Sequence, residues 1–127
     1  MLILDACIVI TFGSTGNLSV VTELQQHRLC IASRAVAEVI REPAASALRA
    51  AVSAGRIAVE SADIENAAEQ QALARFDARP AFRNRGDAEV LALAVARGYL
   101  LASDENAVRH AARLNSGNTA LRVHSIS

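Results

Sequence analysis

The sequence contains no lysine and no tryptophan, and aromatic residues make up only 3% of its 127 residues. All thirteen positive side chains are therefore arginines, and they balance thirteen aspartates and glutamates to a formal net charge of zero. This balance excludes a broadly basic nucleic-acid surface, so any nucleic-acid binding depends on local arginine placement. Because aromatic rings are so scarce, base stacking contributes little to such binding.

Cysteine and histidine are also scarce, with two and three copies. Cys7 and Cys30 lie in separate apolar stretches, and no C-x-x-C or Cys/His spacing indicates a zinc site. We expect both thiols to be small buried groups in a reducing compartment. No apolar run approaches the ~20 residues of a membrane span, and the N-terminus lacks the features of a signal peptide. The expectation is a cytoplasmic protein without a membrane segment.

Apolar residues account for 52% of the chain, and they are chiefly Ala, Val, Leu and Ile, as in a parallel sheet covered by alanine-rich helices. Short apolar runs alternate with helical stretches, which predicts parallel strands joined by right-handed crossovers. We expect one α/β domain over residues 1–127, a doubly wound, mostly parallel sheet of four to five strands with helices on both faces. The predicted strands are Leu2–Leu4, Leu29–Ala32, Ile57–Val59, Tyr99–Ala102 and Leu121–Ile126.

Helices are predicted between these strands. The helix after Ser33 directs Val36, Val39 and Ile40 to the core and leaves Glu38 off this apolar stripe. The predicted helices are Ala6–Phe12, one from Asn17, one from Ser33, Ala44–Ala54, one from Ser61 or Asp63 to about Phe76, Asp87–Arg97 and Glu105–Leu114.

Four acids are predicted to meet at one edge of the sheet. Asp5 and Asp104 each directly follow a buried strand, and parallel strands end at the same edge. Glu38 lies on the helix that follows the second strand, and Asp87 begins the helix that leads into the fourth. Clustered carboxylates repel one another unless a cation compensates them, and an all-oxygen ligand set selects Mg²⁺ or Mn²⁺. Such an ion activates water and stabilises displacement at phosphorus.

Each acid taken alone also has a simpler interpretation, and both interpretations stay open at this point. Asp5 and Asp104 suit helix N-caps, Glu38 suits a solvated position, and Asp87 suits a first helical turn. Glu89 is a rival to Asp87, but two residues on a helix are separated by about 200°, so both cannot face one cleft. We choose Asp87.

Arginines near the acids are candidates for phosphate contacts. Arg79, Arg83 and Arg85 lie within seven residues before Asp87, and guanidinium groups grip phosphate oxygens. Arg34 and Arg41 flank Glu38 and share this possibility. The alternative is a solvated loop that neutralises acids such as Asp77 and Glu89.

Four short motifs resemble those of the PIN-domain family in order and spacing. They are Leu-Ile-Leu-Asp5-Ala-Cys, Ala-Val-Ala-Glu38-Val, Gly86-Asp87-Ala-Glu-Val-Leu-Ala-Leu-Ala and Leu-Leu-Ala-Ser103-Asp104. The likeness extends over essentially the whole chain, which is similar to compact members such as the VapC-type toxins of bacterial toxin–antitoxin pairs. It implies a doubly wound parallel sheet whose acids bind Mg²⁺ or Mn²⁺ and cut RNA.

By this resemblance the catalytic metal ligands are Asp5, Glu38, Asp87 and Asp104, which hold one or two ions. Ser103 matches a position where a hydroxyl group holds a metal-bound water. Cys7 departs from the pattern, since a hydroxyl residue is usual there. The resemblance further implies a homodimer and a small antitoxin partner that blocks the cleft.

The sequence therefore predicts a metal-dependent endoribonuclease, with Arg34, Arg41, Arg83 and Arg85 as candidate RNA-binding residues. The alternative is a PIN-like module with a weakened catalytic site that binds RNA or a protein partner without cutting. Cys7, in place of the usual hydroxyl residue, is the feature that suggests it. A phosphoacceptor receiver domain is a third class, but such sites rely on a lysine that this chain lacks. No P-loop or G-x-G-x-x-G motif supports nucleotide binding.

Overall fold

The computed structural model describes residues 1–23, 27–82 and 85–102, together with the backbone of residues 123–124. Its strands are β1 (Leu2–Leu4), β2 (Leu29–Ala32), β3 (Ile57–Glu60), β4 (Leu100–Ala102) and β5 (Val123–His124). Its helices are α1 (Ala6–Ser14), α2 (Leu18–Thr22), α3 (Ser33–Glu38), α4 (Ala44–Ser53), α5 (Ala67–Asp77) and α6 (Gly86–Arg97). The predicted helix Glu105–Leu114 lies outside the described residues.

The five strands form one parallel sheet in the order β3-β2-β1-β4-β5. Strand β1 is central, and its last residue, Leu4, is in register with Ile31 of β2 and Ala102 of β4. Its position between two strands explains why all three residues of β1 are buried and apolar. The predicted parallel α/β architecture is confirmed.

The helices pack in two groups, α1 with α2 and α4, and α6 with α3 and α5. Helix α6 is buried on nearly every side and contacts β1, β2 and β4. Gly98 ends it in the left-handed conformation, with φ of 68°, as expected for the residue after a helix. At 12 residues α6 is the longest described helix, and no helix in the described part has the length and apolar character needed to cross a bilayer.

Three local predictions are wrong. Helix α5 begins at Ala67 rather than near Ser61 or Asp63, because the Asn66 side chain accepts the Glu69 amide at 3.1 Å and caps the helix there. Ile40 lies beyond the end of α3 and is 78% exposed, so it does not join the core. The third wrong prediction is the burial of Cys7, which is exposed.

The two cysteines differ in environment. Cys30 in β2 is fully buried, as predicted, and burial, with a smaller contribution from the charge of Glu60, raises the pKa of its thiol to about 12. Cys7 is exposed, contrary to expectation, because it follows the strand and occupies the outer side of the first turn of α1. The apolar sequence around it did not reveal which side of the helix faces solvent.

An arginine-centred network joins α6 to α5 and β3. The Arg97 guanidinium donates two hydrogen bonds of 2.9 Å to the Glu69 carboxylate, one to Glu60 and one to the Ser61 carbonyl. The Tyr99 hydroxyl donates to the same Glu60 oxygen at 2.7 Å. These bonds hold the end of α6 against the two segments that flank it.

The network makes a pH-dependent contribution to stability through Glu69. Hydrogen bonds from Arg97 hold the pKa of the Glu69 carboxyl below its ordinary value of 4.5. Because the pKa is lower in the folded state, the stabilisation is complete above the ordinary value and is lost as pH falls through the folded value. We expect Glu69→Gln to flatten the fall in unfolding free energy below about pH 4.5, measured by urea unfolding of both proteins across pH. An unchanged profile would contradict the pairing.

Candidate functional site

Asp5 stands at the edge of the sheet where the central strand ends. It directly follows β1, and its amide donates a 3.0 Å hydrogen bond to the carbonyl of Ala102, the last residue of β4. Its side chain is 1% exposed. Although Asp5 is the N-cap residue of α1 by position, its carboxylate makes no capping hydrogen bond to the helix. The structure therefore does not support the simpler interpretation of this acid as a cap.

Asp87 reaches the same edge from a helix. Because α6 leads directly into β4, it runs opposite to the strands and begins where they end. Asp87 is its second residue and is 3% exposed. The free amides of a first helical turn favour a negative charge at this position. The guanidinium of Arg85 lies 3.8 Å from the Asp87 carboxylate and remains largely exposed on its outer side.

Glu38 is brought to the first residue of α6 by a close contact between α3 and α6. It is the last residue of α3, and its Oε1 accepts a hydrogen bond from the amide of Gly86, the first residue of α6. A Cβ atom at Gly86 would lie 2.6 Å from that oxygen and 2.8 Å from the Cα of Ala35. Only glycine allows the two helices to approach this closely, and the approach sets Glu38 against Gly86, the residue that precedes Asp87.

Gly86→Ala is expected to lower the unfolding free energy by about 1–3 kcal/mol, because the added methyl group overlaps the backbone of Ala35. If Glu38 is a metal ligand, as the sequence predicts, the variant should also bind Mn²⁺ more weakly, because the methyl group displaces Glu38. Gly13→Ala is the matched control, since its Cβ would lie 2.9 Å from the Cα of Ala44 at the α1–α4 contact. Urea unfolding and calorimetry should show that both variants lose stability and only the first loses affinity. A Gly86→Ala protein as stable as the parent would contradict the described helix contact.

Glu89 lies at the same edge of the sheet as Asp87, but its carboxylate is turned toward the segments that follow β2 and β3. Its buried carboxylate accepts hydrogen bonds from the Ser33 hydroxyl, the Arg34 amide and the Ala62 amide at 2.8–3.2 Å. The sequence did not reveal these hydrogen bonds to Glu89, since their donors lie 27 or more positions away along the chain. The available signal was a second acid in the first turn of a helix that is apolar from Val90 to Ala96.

The candidate arginines occupy different environments. Arg34 is paired with Asp77 at 2.9 Å, so its guanidinium already neutralises an acid. Arg41 is exposed and lines a cavity of about 320 Å³ together with Glu38 and three apolar residues, Ile10, Ile40 and Ala44. Arg85 lies next to Asp87, and Arg83 lies outside the described residues. RNA contacts by these side chains stay a prediction.

The donor set suits a hard divalent ion but is incomplete in the described part of the chain. Asp5, Glu38 and Asp87 supply carboxylate oxygens only, the ligands that Mg²⁺ and Mn²⁺ prefer. Within residues 1–23, 27–82 and 85–102, no three acids, histidines or cysteines form a group that could hold a metal ion. Asp104 and Ser103, the remaining predicted members, lie outside the described residues. A site of the predicted kind therefore depends on Asp104.

The family comparison agrees with the motifs. A family model described as DUF3368: PIN domain matches residues 1–120. No curated protein sequence matches the chain.

Several solved structures have a similar fold. The crystal structure of VapBC2 from Rickettsia felis bound to a DNA fragment from their promoter is 13% identical, with a TM-score of 0.61, and the match covers 99% of this chain and 98% of that one. DNA-bound VapBC from Salmonella typhimurium is 20% identical, with a TM-score of 0.58 and coverage of 98% and 96%. FitAcB from Neisseria gonorrhoeae is 14% identical, with a TM-score of 0.52 and coverage of 97% and 96%. At sequence identities of 13–20%, this structural likeness shows that the chain shares the fold of these proteins.

Proposed function

Because the chain belongs to the PIN-domain family, we propose that it is a metal-dependent endoribonuclease and the toxin of a toxin–antitoxin pair. The observation that carries the proposal is the burial of two aspartates, Asp5 and Asp87, where the strands of a parallel sheet end. Taking a carboxylate out of water is costly unless a cation or hydrogen bonds compensate it. A divalent ion is the compensation that also provides hydrolytic chemistry.

Asp5, Glu38, Asp87 and Asp104 are the proposed ligands of one or two Mg²⁺ or Mn²⁺ ions. A bound ion of this kind supplies an activated water and neutralises charge on the phosphate being cleaved. Arg85, which lies beside Asp87 and is open to solvent on its other side, is proposed to contact a phosphate oxygen of the RNA. Ser103 is the proposed hydroxyl that orients a water next to Asp104. Arg41 and Arg83 are proposed to contact the RNA backbone, with Arg34 less available because it is paired with Asp77.

The proposed partners follow from the family and the similar structures. The structures of VapBC2 and VapBC both include DNA, and the resemblance of this chain to VapC-type toxins implies an antitoxin partner. We propose that this chain binds a small antitoxin that covers the acid site, and that it forms a homodimer. An RNA substrate fits the cytoplasmic location expected from the sequence.

The proposal is tested by incubating the purified chain with a pool of structured and single-stranded RNAs. Cleavage is expected with Mg²⁺ or Mn²⁺, is expected to stop with excess EDTA, and is expected to return when Mn²⁺ is added in excess over the chelator. Cleavage that persists in EDTA would contradict metal dependence. No cleavage of any RNA with either ion would contradict the nuclease proposal.

A second candidate function is an RNA- or protein-binding module that does not cut. The observation that favours it is Cys7, which stands at a position where the family usually has a hydroxyl residue. A thiol is a weaker hydrogen-bond donor than a hydroxyl group, and weaker support of the metal ligands weakens such sites. Salt-dependent RNA binding without cleavage would support this function, and cleavage gained in Cys7→Ser would identify the thiol as the cause.

A further inference from the structure

Glu89 is a buried acid whose carboxylate is shared between two segments of the chain. The residue is 5% exposed. Its Oε1 accepts the Ser33 hydroxyl at 2.9 Å and the Arg34 amide at 2.8 Å, and its Oε2 accepts the Ala62 amide at 3.2 Å. Ser33 and Arg34 begin α3 directly after β2, and Ala62 follows β3. One side chain on α6 thus fixes the chain where two neighbouring strands end.

Helix α3 depends on this carboxylate because it has no local cap. Its N-cap residue is Ala32, which has no side-chain acceptor for the first amides of the helix. Glu89 provides that acceptor from α6. At the opposite end of α3, Glu38 accepts the amide of Gly86, the first residue of α6. Each of the two helices therefore supplies a carboxylate that caps the N-terminus of the other.

This reciprocal arrangement links Glu89 to the proposed metal ligands. A shift of α3 relative to α6 moves Glu38 away from Gly86, and Gly86 is the neighbour of Asp87 in the chain. Glu89 holds the N-terminal end of α3. It lies on α6, two residues after Asp87. Both of its oxygens accept amide or hydroxyl donors, so we do not count it among the proposed ligands.

We propose that Glu89 is a positioning residue for the acid site, which holds α3 against the first turn of α6 so that Glu38 and Asp87 share one ion. The inference rests on the proposed function and adds to it a residue whose carboxylate does not touch the substrate. Ionised acceptors form the stronger hydrogen bonds, and a carboxamide replaces one acceptor oxygen with an amino group directed at a donor.

The test compares Glu89→Gln with Glu69→Gln, which also changes a buried acid on the same face of the domain but within the Arg97 network. Both variants are expected to unfold at lower temperature. Below the unfolding range, Glu89→Gln should weaken Mn²⁺ binding and lower kcat by roughly 10–100-fold, with little change in KM for RNA. Glu69→Gln should keep the parent values of Mn²⁺ affinity, kcat and KM.

Amide hydrogen exchange provides a readout that does not need activity. Faster exchange in the segment 33–38 is expected in Glu89→Gln and not in Glu69→Gln. Unchanged exchange in that segment would overturn the inference whether or not the protein cuts RNA. Faster exchange with parent-like Mn²⁺ affinity and kcat would also overturn it, since α3 would then move without consequence for the site. A parent protein that neither binds Mn²⁺ nor cleaves RNA, with the exchange difference present, would refute the proposed function and limit Glu89 to holding the two helices.

Discussion

Asp5→Asn is expected to lower metal-dependent RNA cleavage by at least about 100-fold while the fold is retained. Asparagine has nearly the same shape as aspartate, so the packing at the end of β1 is preserved, but its neutral side chain is a poor ligand for a hard ion. A metal ion contributes several kcal/mol to stabilising charge in the transition state, and each 1.36 kcal/mol is about a tenfold change in rate. The measurement is the initial rate at saturating RNA, with circular dichroism to verify the fold.

Asp63→Asn is the matched control for this prediction. Asp63 also follows a strand of the same sheet, but it comes after β3, which lies two strands from β1 and therefore about 10 Å away. It is exposed, and its carboxylate accepts only the nearby Glu65 amide among the bonds described. The control should cut RNA at the parent rate. Parent-like cleavage by Asp5→Asn would remove this residue from the proposed ligands.

Arg97→Met is expected to lower the unfolding free energy by about 2–3 kcal/mol. Removing the guanidinium leaves the carboxylates of Glu60 and Glu69 close together without their main donor. Breaking a fully buried ion pair costs about 3–5 kcal/mol, and the effect here is smaller because the Arg97 side chain is 25% exposed. Urea unfolding at neutral pH measures the difference.

Arg49→Met provides the comparison, since Arg49 forms a salt bridge of 3.1 Å with Glu42 in which both side chains are exposed. Exposed pairs contribute less than about 1 kcal/mol, so this variant should remain close to the parent. Equal losses in the two variants would mean that burial does not distinguish the Arg97 network from an ordinary surface pair.

The sheet was predictable from sequence because its strands carry a strong local signal. Leu2–Leu4 and Leu29–Ala32 are uninterrupted apolar runs, and such runs are characteristic of strands covered on both faces. The alternation with helices then determines parallel pairing, and parallel pairing determines the edge where Asp5 stands. The burial of Asp5 and Asp87 agrees with this reasoning, while their proposed function as ligands stays a prediction.

What the sequence did not reveal depends on contacts between distant segments. Ile40 follows the apolar stripe of α3 by spacing, but the helix ends at Glu38 and the chain turns Ile40 to solvent. Asp63 and Ser61 have the side chains of good N-caps, yet Asn66 caps α5. The loop before the helix is held in place by two distant acids, because Glu89 accepts the amide of Ala62 and Glu69 accepts the amide of Asp63. Such long-range caps leave no periodic or local pattern in the sequence.

Whether the edge where β1 ends holds a metal ion can be measured by calorimetric titration of Mn²⁺ into the parent protein and into Asp5→Asn. The parent is expected to bind Mn²⁺, Asp5→Asn to bind it at least about tenfold more weakly, and Asp63→Asn to bind it as the parent does. No binding to the parent, or equal affinity in the parent and Asp5→Asn, would contradict a metal site at the edge where β1 ends.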